Sequence, residues 1–149
     1  MVLVFAILIA QTSFADPGIL LLAHGGSAEW NARVTELAAK VNATRATEVA
    51  FGMAARATIQ AAIDKLVARG VTEIVAVPLF VSSWSSVITS TEYLLGLRPQ
   101  APAALASYAK MNHAPAATSP AAPTGHEAHA QTADGTTPVH SPVPVRMTA

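Results

Sequence analysis

The stretch that most constrains this chain is Gly18-Ile19-Leu20-Leu21-Leu22-Ala23-His24-Gly25-Gly26-Ser27. An unbroken apolar run closed by glycines suits a strand covered on both faces, as in a parallel sheet. His24 falls where that strand ends, and in open parallel sheets ligands bind beyond the carboxyl ends of the strands. Gly25 and Gly26 allow the backbone to come close to a ligand, and Ser27 is placed to cap a following helix.

The chain then alternates between helix and strand patterns. Across Glu29 to Val41, residues Trp30, Val34, Leu37, Ala38 and Val41 share one helical face. Arg33, Glu36 and Lys40 fall elsewhere, and Trp30 is expected to pack the helix onto the sheet. Thr47 to Phe51 reads as a short second strand, and residues 52–57 as a loop in which Met53 fills space. Thr58 is placed to cap a second helix with the stripe Ile59, Ala62, Ile63, Leu66 and Val67. That helix ends in Arg69-Gly70, a cation in the last turn and a glycine after it. Glu73 to Val81 is a third, nearly all-apolar strand with Pro78 late in it. Ser82 to Ser86 is a polar loop around Trp84, and Val87 to Leu97 a third helix stopped by Gly96 and Pro99. The order β-α-β-α-β-α predicts an α/β fold: three layers around a small parallel sheet with right-handed crossovers.

Composition bounds the rest. One domain suits 149 residues. The chain is 52% hydrophobic but only 5% aromatic, so its core must come from the segment rich in Val, Ile and Leu rather than from alanine. Nine basic residues balance nine acidic ones with no basic stripe, which argues against a nucleic-acid partner. The lack of cysteine excludes disulfides and thiolate metal sites.

Met1 to Ala10 is apolar but shorter than the roughly 20 residues a membrane span needs, so no stable membrane span is expected. Ser13 and Ala15 stand at −3 and −1 of a cleavage point before Asp16, and residues 1–15 read as a secretory signal peptide that lacks a basic n-region. An uncleaved anchor, a mis-assigned start and an extra buried strand are the alternatives. Removal of the signal makes the protein periplasmic or secreted; without it the protein is cytoplasmic. Residues 17–98 form the α/β domain. Residues 99–149, rich in Ala, Pro, Thr, Ser and His, cannot bury enough surface to offset the entropy of ordering, and read as a disordered linker or tail. Within it, Ser141 to Met147 looks extended. His113, His126, His129 and His140 read as solvated, with a weak metal-collecting tail as the alternative.

Taken together and in order, Gly18–Ser27 (GILLLAHGGS), Glu48–Met53 (EVAFGM), Thr58–Ala68 (TIQAAIDKLVA) and Gly70–Ser86 (GVTEIVAVPLFVSSWSS) resemble the sirohydrochlorin cobaltochelatase/ferrochelatase family. These are the small class II tetrapyrrole chelatases. The resemblance implies a lyase-type activity in cobalamin or sirohaem synthesis. A divalent ion, Co2+, Fe2+ or Ni2+, is a substrate that enters sirohydrochlorin or a related tetrapyrrole, with no organic cofactor. Family members act as paired small subunits or as one chain with two halves, which implies a homodimer or a missing second half.

His24 matches the family's histidine after the first strand, so its implied roles are metal ligand and acceptor of pyrrole protons. Neutral imidazole suits both. Glu48 and Glu92 are the carboxylates that could share the ion or the proton. Gly25, Gly26, Ser27, Ser83, Trp84, Ser85 and Ser86 are the implied substrate contacts. Trp84 would stack on a flat ring, and the serines and the third helix's N–H groups would take its carboxylates. Family members usually carry a second histidine in the exit loop, where this chain has Trp84 or Ser86. A lone imidazole holds a free ion weakly. The alternative readings are therefore a non-catalytic envelope protein that binds metal or tetrapyrrole, or a truncated inactive paralogue. A dinucleotide site would need G-x-G-x-x-G and an acidic residue closing the second strand. An esterase would need a G-x-S-x-G elbow. The chain has none of these.

Overall fold

Strands without a polar face are stable only where both faces are covered, and the sheet places them so. The structure, a computed structural model, describes residues 16–113 and 135–148. Strands β1 (Pro17–Ala23), β2 (Thr47–Phe51), β3 (Glu73–Leu79) and β4 (Val145–Met147) form a four-stranded sheet in the order β2-β1-β3-β4. Every pairing is parallel, and the register sets Leu22 beside Ala50 on one side and Pro78 on the other. The most apolar strand, β1, is central and carries Leu20, Leu21, Leu22 and Ala23 fully or nearly buried.

Side chains alternate across the sheet. Leu20, Leu22, Ala50, Ile74 and Ala76 point to one face and pack with Ile59, Ala62, Ile63 and Leu66 of helix α2 (Arg56–Ala68). Leu94 of α3 (Ser86–Leu94) and Leu105 of α4 (Leu105–His113) complete that cluster. Leu21 and Val75 are buried outside it, as are Val34 and Ala38 of α1 (Ala28–Asn42). The expected three-layer α/β arrangement is therefore present. No helix among the described residues is long and apolar enough to cross a membrane.

Three local expectations are corrected. Thr58 does not cap α2. The helix begins two residues earlier, after Ala55, and the Thr58 hydroxyl is shared back to the carbonyls of Phe51 (2.9 Å) and Ala55 (3.0 Å). Trp30 does not pack α1 onto the sheet; it is 48% exposed. β3 stops at Leu79 rather than Val81, and β4 reaches only from Ile74 to Ala76, so the ladder on that side has ended before Pro78.

A larger difference concerns the described part of the tail, residues 99–113 and 135–148. Residues 105–113 are helical, and residues 135–148 return to the core instead of trailing away. Val139, Val143, Val145 and Met147 pack against the α2-side cluster. Val139 N–H donates to Leu94 (2.8 Å), Ile74 N–H to Pro144 (2.9 Å) and Thr148 N–H to Ala76 (3.0 Å). Arg56 donates to the carbonyls of Thr137 and Pro138, and Gln60 exchanges a pair of hydrogen bonds with the His140 backbone. Arg146 of the edge strand β4 pairs with Glu73 of β3. The extended reading of Ser141 to Met147 holds at Val145–Met147. The signal peptide expected over residues 1–15 and the histidines His126 and His129 lie outside the described residues.

Candidate functional site

The strand order creates the site. From central β1 the chain goes to β2 on one side, then crosses to β3 on the other. The loops leaving β1 and β3 therefore diverge at their carboxyl ends, the place where open parallel sheets bind ligands. A cleft of about 570 Å³ opens there. His24, Gly25, Gly26 and Ser27 line it from the β1 side, and Leu79, Phe80, Val81, Ser82 and Ser85 from the β3 side, with Trp30 and Met53 adding to the wall.

His24 is exposed at the first position after β1. Its Nδ1 lies 2.9 Å from the Gly25 carbonyl. A carbonyl only accepts, so this bond needs the hydrogen on Nδ1; in the neutral ring that leaves the lone pair on Nε2. The strand end is held from the next strand, because Gly52 N–H donates to the Ala23 carbonyl at 2.9 Å. Ser27 caps α1 by accepting from Trp30 N–H (3.2 Å), as expected, and Ser85 caps α3 by accepting from Ile88 N–H (3.3 Å). Each hydroxyl keeps its own hydrogen for a ligand carboxylate. Both helix N-termini meet the cleft, and their unpaired N–H groups favour anions there.

Asn31 was not singled out in the sequence. Its side chain accepts from Gly26 N–H (2.9 Å) and donates to the Gly26 carbonyl (3.3 Å), clamping the glycine loop from both sides. The signal available was an amide side chain one residue after an N-cap turn, which is common in turns of any purpose. Asn31→Ala is expected to lower stability by about 1 kcal/mol, since both bonds are exposed. Thermal unfolding measures this, and an unchanged melting temperature would refute the clamp.

Other expected contacts are not brought to His24. Glu48 sits opposite Leu20, four residues back along β1 from His24, or about 13 Å at the usual strand rise. Its carboxylate faces Arg69 (3.5 Å) and Lys65 (3.8 Å). It is a charge partner for α2, and the expectation of a metal ligand fails on distance. Ser83 and Trp84 line a separate cleft with Glu92, Arg98, Met147 and Thr148. Trp84 is 94% exposed there, and Glu92 is paired with Arg98 (3.2 Å). The Ser86 hydroxyl is 2.6 Å from that of Tyr108 and ties α3 to α4.

The site is thus a largely apolar cleft with one imidazole and a few hydroxyls. Among the described residues no group of three or more His, Cys, Asp or Glu side chains could hold a metal ion. Such a cleft suits a ligand with a broad apolar face and anionic groups at its edge.

A model of the CbiX family matches residues 18–111, more than half of the chain. The chain belongs to the CbiX family, the sirohydrochlorin chelatases. The CbiX match runs past Arg98 through most of α4. Family membership gives a class II chelatase-like function in tetrapyrrole metabolism, with a divalent ion as substrate. Neither the search of curated proteins nor that of solved structures gave a significant match.

Proposed function

We propose that this CbiX protein inserts a divalent ion, Co2+, Fe2+ or Ni2+, into sirohydrochlorin or a closely related ring. The observation that carries the reading is His24: an exposed imidazole with Nε2 free, set in an apolar cleft at the end of the central strand. The ring lies over the carboxyl ends of β1 and β3. Its carboxylates meet the hydroxyls of Ser27 and Ser85 and the N-termini of α1 and α3. Its four nitrogens supply the final ligands of the ion. His24 Nε2 first holds the ion while it loses water; as the ring nitrogens take the ion over, two pyrrole N–H groups lose their protons, and the released Nε2 lone pair takes one while water takes the other. A second copy of the chain closes the open side of the cleft. Cleavage of residues 1–15 before Asp16 places the mature protein in the periplasm or outside the cell.

One observation favours a second reading. No other imidazole or carboxylate among the described residues lines the cleft with His24. A protein with one ligand could bind the ring without metallating it. Titration of the purified protein with metal-free sirohydrochlorin, with and without Co2+, separates the two. The chelatase gives a ring absorbance shift on binding, then conversion to the cobalt spectrum faster than in protein-free solution. A binding shift with no acceleration on adding Co2+ would replace the enzyme with a carrier.

A further inference from the structure

The indole of Trp30 stands on the same cleft wall as His24. Tryptophan on the inner side of a helix is ordinarily buried by the sheet, yet this residue stays 48% exposed while Val34, one turn on, is buried. Its position is set from two directions. Its backbone N–H is held by the Ser27 cap at 3.2 Å, which fixes the point from which the side chain leaves the helix. The edge of the indole rests on Gly26: a Cβ at that glycine would lie 3.2 Å from Trp30 Cδ1 and 3.6 Å from Cγ. A Cβ at 26 would make the ring give by a few tenths of an ångström, and Asn31 fixes Gly26 in turn. The loop therefore seats an aromatic on the cleft wall with the imidazole and leaves about half of it open.

We propose that Trp30, and not Trp84, is the platform on which the flat π-system of a tetrapyrrole stacks beside His24. This rests on the reading of the cleft as a tetrapyrrole site. Offset stacking of an indole on an extended ring adds to the simple burial of area. It also holds the macrocycle's face toward the imidazole, where a merely apolar wall would let it slide.

The test measures the dissociation constant of metal-free sirohydrochlorin from its absorbance shift, for the wild-type chain and for Trp30→Ala, Trp30→Leu, Trp30→Phe and Leu37→Ala. Leu37 is an exposed apolar residue two turns along α1, outside the cleft. Thermal unfolding of each variant checks that the fold is kept. W30A and W30L are expected to bind about tenfold more weakly or worse, by the usual worth of aromatic stacking, W30F within about threefold, and L37A as wild type. Wild-type affinity in W30A, or in W30L, would overturn the stacking role while leaving the cleft's assignment standing. Absence of ring binding by the wild-type chain would overturn both.

Discussion

His24→Ala is expected to slow Co2+ insertion into sirohydrochlorin by about 100- to 10,000-fold, the range a positioned proton acceptor commonly supplies. The same variant should bind the metal-free ring within a few fold of wild type. The two effects separate because the groups differ. Ring binding draws on the apolar wall, the Ser27 and Ser85 hydroxyls and the helix N-termini. The imidazole is needed only when the ion arrives and the pyrrole protons leave. The His24 side chain is exposed and, among the described residues, bonds only its neighbour's carbonyl, so its loss leaves the core intact. Added imidazole should restore part of the rate by filling the vacated space. Stopped-flow absorbance of the ring follows each step, and turnover at the wild-type rate in H24A would remove the histidine from the chemistry.

The second large effect is on stability. Gly52→Ala is expected to destabilise the fold by about 2–5 kcal/mol, the sum of backbone strain and overpacking. Gly52 follows β2 with φ at 128°, a region that side chains disfavour. An added Cβ would also lie 2.6 Å from the Cβ of Ala55, a buried residue with no flexible end to move. Because Gly52 N–H holds the Ala23 carbonyl, the strain should reach the residue before His24 and weaken ring binding too. Gly70→Ala provides the internal comparison. It has a similar left-handed problem, φ 78°, but nothing within 4 Å of its Cβ. It should cost only about 1 kcal/mol. Urea unfolding of both variants gives the difference, and equal losses would show that the contact with Ala55 adds nothing.

Much of the fold was readable because its signals are local. The runs Ile19–Ala23 and Ile74–Val77 have no polar face, and the stripe Ile59, Ala62, Ile63 and Leu66 has one clear helical face; each became what its period implied. Ser27 as an N-cap and Gly70 after α2 follow from the chemistry of helix ends. The order at residues 105–113 and 135–148 was not legible because it is not local. Gln60 and Arg56 hold backbone about 80 residues away, and β4 exists because β3 offers it an open edge. An Ala- and Pro-rich stretch shows none of this in its own composition.

The candidate site divides in the same way. A histidine at the end of an all-apolar strand, followed by glycines and a capping serine, was evident from the chain alone, because strand ends and helix starts are written in neighbouring residues. So was the α/β alternation that makes such an end a place for ligands. Which residues share the cleft was settled only in three dimensions. In the sequence Trp30 reads as a helix residue packed on the sheet and Trp84 as the loop aromatic facing a ligand. Only the packing of α1 over Gly26 brings the first to His24, while the path of the β3–α3 loop carries the second to another face. Glu48 likewise looked available until strand register set it far back along β1 and beside Arg69. Local pattern determines what each segment becomes, because it depends on backbone period and nearest neighbours. Proximity between side chains depends on how the segments cross, and that is decided by packing of the whole.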